Sequence, residues 1–203
     1  MRKLGKRLTA CFLVAVCVWG FALVSDRRKL NQELIRLHVV ANSDSPEDQQ
    51  IKLRVRDAIR ESLQKDMQEL ADARQAYRYI QNNLPKLQTI VNEVLLSAGL
   101  DPDAAVTLCK EAFDVRVYDT FKLPSGVYNA LRITIGEGQG KNWWCVVFPT
   151  LCEPATMAEF DETAVEAGMS QELTGALTGE KGYEIRFFLL DAMGKLENVL
   201  FEE

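Results

Sequence analysis

The chain has 203 residues, of which 47% are hydrophobic and 26% charged, and its formal net charge is −5. This is a globular composition with enough length for one compact domain, which excludes a disordered chain. Residues 1–29 hold seven basic side chains and one acidic one, leaving 17 basic and 28 acidic residues beyond them, a net charge of −11. So acidic a domain excludes a nucleic-acid partner held by phosphate neutralisation, and its contact with an anionic membrane is expected to come from the N-terminal segment.

Residues 8–24 form an apolar run of 17 residues without a charge, behind a basic N-terminus. A helix of this length reaches roughly 25 Å, just short of the usual hydrocarbon thickness. The run predicts either a retained membrane anchor or a cleaved signal peptide, with Gly20 and Ala22 at a tolerable cleavage site. A buried core helix is disfavoured by the charges at both ends. We therefore divide the chain into a signal peptide or anchor at residues 1–29 and an exported domain at residues 30–203.

A strand is predicted at residues 34–40, where LIRLHVV alternates between apolar and polar side chains. The sequence SPED then indicates a helix start, with Ser45 as the N-cap and Pro46 at the first helical position. The helix is expected to run over residues 46–66, because apolar side chains recur at intervals of four: Ile51, Val55, Ile59, Leu63 and Met67.

A second helical region is predicted at residues 71–98, where apolar residues again follow a helical spacing. Pro85 lacks a backbone donor and disfavours helical geometry at Leu84. A break or kink is therefore expected around Asn82 and Asn83.

The remaining half of the chain is predicted to be mostly strands, with short helices near its end. Strands are predicted at residues 113–118, 131–135 and 143–148, and GEGQGKN between the last two indicates a hairpin loop. An acidic connector with a short helix near residues 170–177 follows. YEIRFFLL then indicates a last strand, and DAMGKLENVLF a short terminal helix weakened by Gly194. The order predicts an α+β fold: an N-terminal hydrophobic helix, then one domain whose antiparallel or mixed sheet packs on two or three helices.

Three of the five cysteines belong to the domain. Cys145 and Cys152 would close only a short loop, and Pro149 can turn the chain between them. In an exported domain they form a candidate disulfide, and two reduced buried thiols are the alternative.

No catalytic constellation stands out. His38 is the single histidine, so the chain lacks the usual zinc-hydrolase ligand set, and its pairing with Cys145 or Cys109 as a nucleophile rests only on the presence of both residue types. An imidazole on the outer face of a strand, bonded to Asn42 or Asp44, is the simpler interpretation. The glycines of GEGQG precede a strand instead of a helix, so they do not form a phosphate loop. No catalytic residue, metal or cofactor is predicted.

The first predicted helix carries charges at spacing four, Asp48, Lys52 and Arg56. Asp48 followed by Lys52 is the favourable order for an ion pair. A solvated helix face explains this pattern, and a polar recognition surface explains it equally well.

At this point two segments resemble a known family. HVVANSDSPEDQQIKLRVRDAI and GKNWWCVVFPTLC look like the signature segments of the stage II sporulation protein R family. Their order behind a hydrophobic segment, with a long helical stretch between them, also matches. The resemblance covers residues 30–152 well and the acidic C-terminal third weakly.

The resemblance implies an exported signalling protein without enzymatic activity. Proteins of this family are made in the forespore and exported into the space between the two septal membranes. There they activate a membrane-embedded, aspartic-type protease of the mother cell, which removes the pro-sequence of a sigma factor. The expected partner is this protease, and the membrane is contacted through residues 8–24 if they are not cleaved.

A ligand switches a protease only by binding its active state more tightly. The hypothesised binding residues are Arg36, His38, Asn42, Asp44, Asp48, Lys52 and Arg56. Trp143 and Trp144 form a second candidate group, since one of two adjacent rings on a strand faces outward and an exposed tryptophan often anchors an interface. The alternative is that this ring packs in a second core layer under the helices. Two other classes stay open: an exported cell-wall hydrolase and a structural protein of the septal membrane.

Overall fold

The computed structural model describes residues 2–149, 160, 163–165 and 169–202. From α1 to β6 the helices and strands follow one another with short connections. The helices are α1 (Arg2–Glu33), α2 (Pro46–Gln68), α3 (Ala73–Ser97), α4 (Gln171–Thr178) and α5 (Glu184–Glu202). The strands are β1 (Ile35–Val40), β2 (Ala104–Phe113), β3 (Arg116–Val117), β4 (Lys122–Leu123), β5 (Gly126–Ile135) and β6 (Asn142–Phe148).

Four strands form one mixed sheet in the order β2-β5-β1-β6. β1 is parallel to β5 and antiparallel to β6, while β2 is antiparallel to β5. β3 and β4 form a separate two-stranded ribbon. The predicted α+β class, with an N-terminal apolar helix and a mixed sheet packed on helices, is confirmed.

The first face of the sheet is covered by α2 and α3. The apolar stripe predicted for α2 is buried, and α3 contributes a stripe of its own; the core side chains include Val55, Ile59, Leu63, Ile80, Leu87, Val91 and Leu95. They pack on Leu37, Val39, Leu131 and Ile133, which alternate along the two central strands as the period of a strand requires.

The second face is covered by the C-terminal part of α1 and by α4 and α5. Leu30, Tyr128, Val146, Leu173 and Leu190 are among its buried side chains. α1 therefore has two parts, since it starts as an exposed apolar helix and ends inside the domain. By length and composition, Ala10–Glu33 is long and apolar enough to cross a membrane.

Three predicted helices are confirmed with small shifts in their ends. α2 begins at Pro46 behind the Ser45 cap, α3 lies within the predicted residues 71–98, and α4 coincides with the short helix expected near residues 170–177. Ser45 accepts a hydrogen bond from the Asp48 amide at 3.1 Å, and Ser170 caps α4 in the same manner. Local capping chemistry was therefore a sound guide.

Of the break or kink predicted around Asn82 and Asn83, the break was wrong, because α3 is continuous, while the kink stays a prediction. Asn83 Nδ2 donates to the Tyr79 carbonyl at 2.8 Å one turn earlier. Ile80 and Leu87, on either side of the proline, are both fully buried in the same core. Packing of the whole stripe outweighs the loss of one backbone donor.

Three predictions in the C-terminal half were also wrong. The strand expected at residues 113–118 is instead the end of β2 followed by β3, and YEIRFFLL belongs to helix α5. The segment at residues 136–141 is not a hairpin loop, because β1 lies between β5 and β6 in the sheet. It is a connection that passes over the C-terminal end of β1, and this position determines the geometry of the candidate site.

Candidate partner-binding surface

The junction between β1 and α2 is held by side chains of the first signature segment. Asp48, in the first turn of α2, accepts hydrogen bonds from Asn42 Nδ2 at 3.0 Å and Ser43 Oγ at 2.5 Å. The bond from Ser43, and then that from Asn42, holds the pKa of Asp48 below its usual value. Asp48 is therefore an ionised acceptor that fixes the direction in which the chain enters the helix.

The connection at residues 136–141 is bound to this junction. Asn42 Oδ1 accepts from the Glu137 amide at 3.1 Å, and Asp44 Oδ1 accepts from the Lys141 amide at 2.7 Å. Lys52 Nζ donates to the Lys141 carbonyl at 2.9 Å. Junction and connection thus form one hydrogen-bonded corner.

The glycines of GEGQG serve this contact. A Cβ atom at Gly140 would lie 2.2 Å from the Ser43 carbonyl oxygen, which is far inside van der Waals contact. Gly136 has a φ of 55° beside the Asn42 side chain. Small residues are required here because two backbone segments approach closely, one of them in a left-handed conformation.

Lys52 is not on an exposed face, contrary to the expectation of a charged stripe along α2. It is buried, and burial lowers the pKa of its ammonium group. Its Nζ donates to Gln49 Oε1 at 2.6 Å, so the ion pair predicted with Asp48 is replaced by other partners. Arg56, one turn further, bonds Asp57 and covers the Trp143 ring at 4.3 Å.

Arg36 and His38 lie on the opposite face of the sheet from α2. The Arg36 guanidinium is fully buried, lies 4.0 Å from the centre of the Phe113 ring and donates to Tyr118 Oη at 2.9 Å. His38 Nδ1 is 2.9 Å from Glu111 Oε1, so its partner is a residue of β2 and not Asn42 or Asp44. Because the sheet separates these two residues from Lys52 and Arg56, the predicted residues do not form a single face.

The tryptophans divide between the two faces in the same way. Trp143 packs at the α2 side beneath Arg56. Trp144 stacks on His38 with 5.5 Å between ring centres, and Arg116 covers its other side at 3.6 Å. Each ring is partly buried and capped by an arginine, so neither projects bare into solvent.

The cysteines give no support to a nucleophile. Cys109 is half-buried, and burial raises the pKa of its thiol, which leaves less thiolate at neutral pH. Cys145 is buried, and Cys152 lies outside the described residues, so their disulfide stays a prediction. Among the residues that the structure describes, no group of three histidine, cysteine or acidic side chains is placed to hold a metal.

Sequence reasoning missed a cavity of about 740 Å³ at the other end of the sheet. It opens between the end of α1, the start of α3 and the strands, and its lining is of mixed charge and includes Glu33, Asp72, Arg74, Arg78, Lys110 and Phe148. The residues that line the cavity come from α1, α3, β2, β5 and β6, so no local motif could indicate it.

The first signature is thus mainly the framework of the corner. We name five exposed residues of this corner the corner surface: Asp44, Glu47, Gln50, Glu137 and Lys141. A model of stage II sporulation protein R matches residues 31–157, which is more than half of the chain. The chain belongs to the stage II sporulation protein R family.

A curated relative supports this membership over nearly the whole length. The chain is 28% identical to stage II sporulation protein R of Bacillus subtilis (strain 168) over 218 residues, covering 90% of this chain and 97% of the relative. No solved structure matches. The family match contains the whole sheet and the corner, whereas α4, α5 and the apolar part of α1 lie outside it. The chain therefore has a sporulation role, in a family not named for a catalytic activity.

Proposed function

We propose that this chain is an exported signalling protein of sporulation that activates a membrane-embedded, aspartic-type protease and so triggers processing of a sigma-factor precursor. Membership of the family supports the sporulation context. The N-terminal apolar helix fits an export signal or anchor, as a protein acting between two membranes needs. The protein would leave the forespore and meet its receptor in the septal intermembrane space, with no nucleic acid as a partner.

The observation that carries the proposal is the rigid corner. Two segments distant in sequence, residues 42–52 and residues 136–141, are bonded there without enclosing a catalytic group: Asn42, Asp44 and Lys52 each bond the 136–141 connection. A preorganised polar surface loses little conformational entropy on binding, so it can hold a partner in one state. We assign receptor binding to the corner surface, with Arg56 and Trp143 beside it, while the partly buried Asp48 and the buried Lys52 hold its framework. Arg36 and His38 are buried on the opposite face of the sheet and are left out of the proposed surface.

The test is reconstitution of the signal in a host that does not sporulate. The full chain, the membrane protease and the sigma-factor precursor are co-expressed, and cleavage of the precursor is followed on gels. We expect cleavage to depend on the chain and to survive Cys109→Ser. Purified chain that degrades muropeptides would instead favour the hydrolase alternative.

Charge reversal locates the binding surface. Glu47→Lys with Glu137→Lys changes two exposed acids of the corner surface, and Glu93→Lys with Asp101→Lys makes the same change of charge at exposed positions on and just after α3. Reversing charges at an interface rim weakens association, so only the first pair is expected to lower cleavage, by tenfold or more. Equal cleavage with both pairs, at equal protein levels, would remove the corner surface from the proposal.

A further inference from the structure

α5 exposes a continuous apolar stripe. Ile185, Phe188 and Leu196 are 67%, 68% and 62% exposed, although each is a large hydrophobic side chain. With their exposed neighbours they recur at helical spacing along one side of the helix: Ile185, Phe188, Ala192, Leu196, Val199 and Leu200. A contiguous apolar surface of this kind marks an interaction site.

The stripe points away from the domain because the other side of α5 is packed. Leu190 is fully buried, and a Cβ atom at Gly194 would lie 1.6 Å from the Ser125 carbonyl oxygen. Asn198 Nδ2 donates to the Phe113 carbonyl at 2.9 Å. These contacts fix the rotation of α5 about its own axis, so the stripe cannot turn inward.

Contacts with α1 fix the direction of α5. Arg186 bonds Asp26, and Asn31 Nδ2 donates to Glu197 Oε1 at 2.7 Å. The two contacts are five residues apart on α1, about 7.5 Å along its axis, but eleven residues apart on α5, about 16 Å along its axis. The two helices therefore cross steeply, and α5 runs across α1 instead of along it.

The crossing is at the end of the apolar run of α1. Phe12, Val18 and Phe21 are exposed in that run, whereas Asp26 and Arg27, just beyond it, are buried against α5. If α1 crosses a bilayer, α5 lies at the level of the membrane surface and roughly parallel to it. The apolar side chains of α1 and the α5 stripe then share one environment.

We infer that the apolar stripe of α5 rests in the interface of the lipid bilayer that α1 crosses. A helix of this type lies with its apolar side chains among the headgroups and its polar flanks in water. Glu184 and Lys195 border the stripe and are exposed, whereas none of the six stripe residues is charged. The contact is apolar and not electrostatic, because an acidic domain is repelled by anionic lipids. Membrane contact therefore extends beyond the N-terminal segment to which the sequence assigned it.

The inference rests on the anchor alternative of the proposed function, in which α1 stays in the membrane, and photocrosslinking tests it without any protease present. The full chain carries benzoylphenylalanine in place of Phe188 and is inserted into nanodiscs of phosphatidylethanolamine and phosphatidylglycerol. After illumination, intact-mass spectrometry identifies the adduct. We expect a lipid adduct in high yield at Phe188, unchanged by high salt.

Two control positions make the outcome decisive. The probe at Phe12 reports that α1 is inserted and should give a lipid adduct. The probe at Leu96, which is 58% exposed on α3 in the other helical layer, should give none. A lipid adduct at Phe12 combined with no adduct at Phe188, or with a Phe188 adduct to a second copy of the chain, would overturn the inference. Such a result would leave the reconstituted cleavage assay unaffected, so the two proposals fail separately.

Discussion

The α2–α3 layer and the α1–α5 layer cover opposite faces of the same sheet, yet they are attached to it differently. In the first layer, apolar stripes such as Val55, Ile59 and Leu95 pack on apolar strand residues. This packing consists of many weak dispersion contacts between apolar atoms, and it does not depend on any single pair of atoms. It follows directly from helical periodicity, which is why sequence analysis found it.

The second layer has an apolar core of its own, which includes Leu30 and Leu190, and adds specific contacts between distant residues. Arg27 bonds Glu197 at 2.5 Å, Arg186 bonds Asp26, and Gly194 lies against Ser125. Each joins residues more than 60 positions apart, so no local pattern indicates them. The comparison teaches that the α1–α5 layer adds specific pairs to its apolar packing, so a single substitution at one of them is expected to loosen this layer while the α2–α3 core stays intact.

The largest expected effect is in the apolar layer. Leu95→Ala removes a side chain that is 1% exposed and should cost about 2–5 kcal/mol of unfolding free energy, because it leaves a cavity. Its neighbour Leu96 is 58% exposed, so Leu96→Ala should cost less than about 0.5 kcal/mol. Urea unfolding of the full chain in detergent, followed by tryptophan fluorescence, measures both. Similar losses from the two variants would contradict the burial described here.

An intermediate effect is expected where α5 meets the sheet. Gly194→Ala places a methyl group 1.6 Å from the Ser125 carbonyl oxygen, so α5 must shift, at a cost of about 1–3 kcal/mol. Gly20→Ala is the matched control, since a Cβ there meets no atom within 4 Å. Hydrogen exchange should show faster exchange in α5 for the first variant only, with α2 and α3 unchanged. Loss of protection throughout the chain would mean that the two layers are not separable.

The smallest effect is expected at the corner, which belongs to neither layer. Asp48→Ala removes the acceptor for Asn42 and Ser43 and should cost about 1–2 kcal/mol. Glu47→Ala removes an exposed acid from the same helix turn, where only the helix dipole acts, and should cost about 0.3–1 kcal/mol. Urea midpoints of the two variants give the difference.

Acidification should reproduce the Asp48 effect. Because hydrogen bonds lower the pKa of Asp48 in the folded state, its contribution is present above its unfolded pKa near 3.8 and is lost as pH falls through the folded pKa. The original chain should therefore lose more stability in that acid range than Asp48→Ala does. Parallel losses would show that other carboxylates govern the acid response.

The parts of the fold that could be predicted were those encoded locally. Ser45 and Pro46 marked the start of α2, and spacing of four marked its buried stripe. YEIRFFLL was misassigned because a short, mainly apolar stretch fits both periods, whereas its residues from Glu184 onward belong to the long helix α5. β2 was missed although Ala104, Val106 and Leu108 alternate along it and pack on the α2–α3 side of the sheet.

The contacts within residues 42–48 follow from local sequence, whereas the identity of the exposed residues around them does not. Asn42 bonds Asp48 across the start of α2, and Asp44, from the same short segment, bonds the connection at Lys141. The burial of Lys52 could not be foreseen, since it depends on the connection at residues 136–141, about 90 positions away. That connection lies there only because β1 separates β5 from β6, a feature of topology and not of local sequence.

Leu34 alone separates the end of α1 from the start of β1 in the middle of the sheet. A flexible linker would let the domain reach a volume that grows with linker length, whereas a one-residue connection fixes the domain close to α1. If α1 stays attached and crosses a bilayer, as proposed, the domain is held rigidly beside that bilayer and moves only by lateral diffusion in its plane. A partner in a facing membrane must then bring its own binding surface to within roughly one domain diameter, about 40 Å, of the membrane that holds α1.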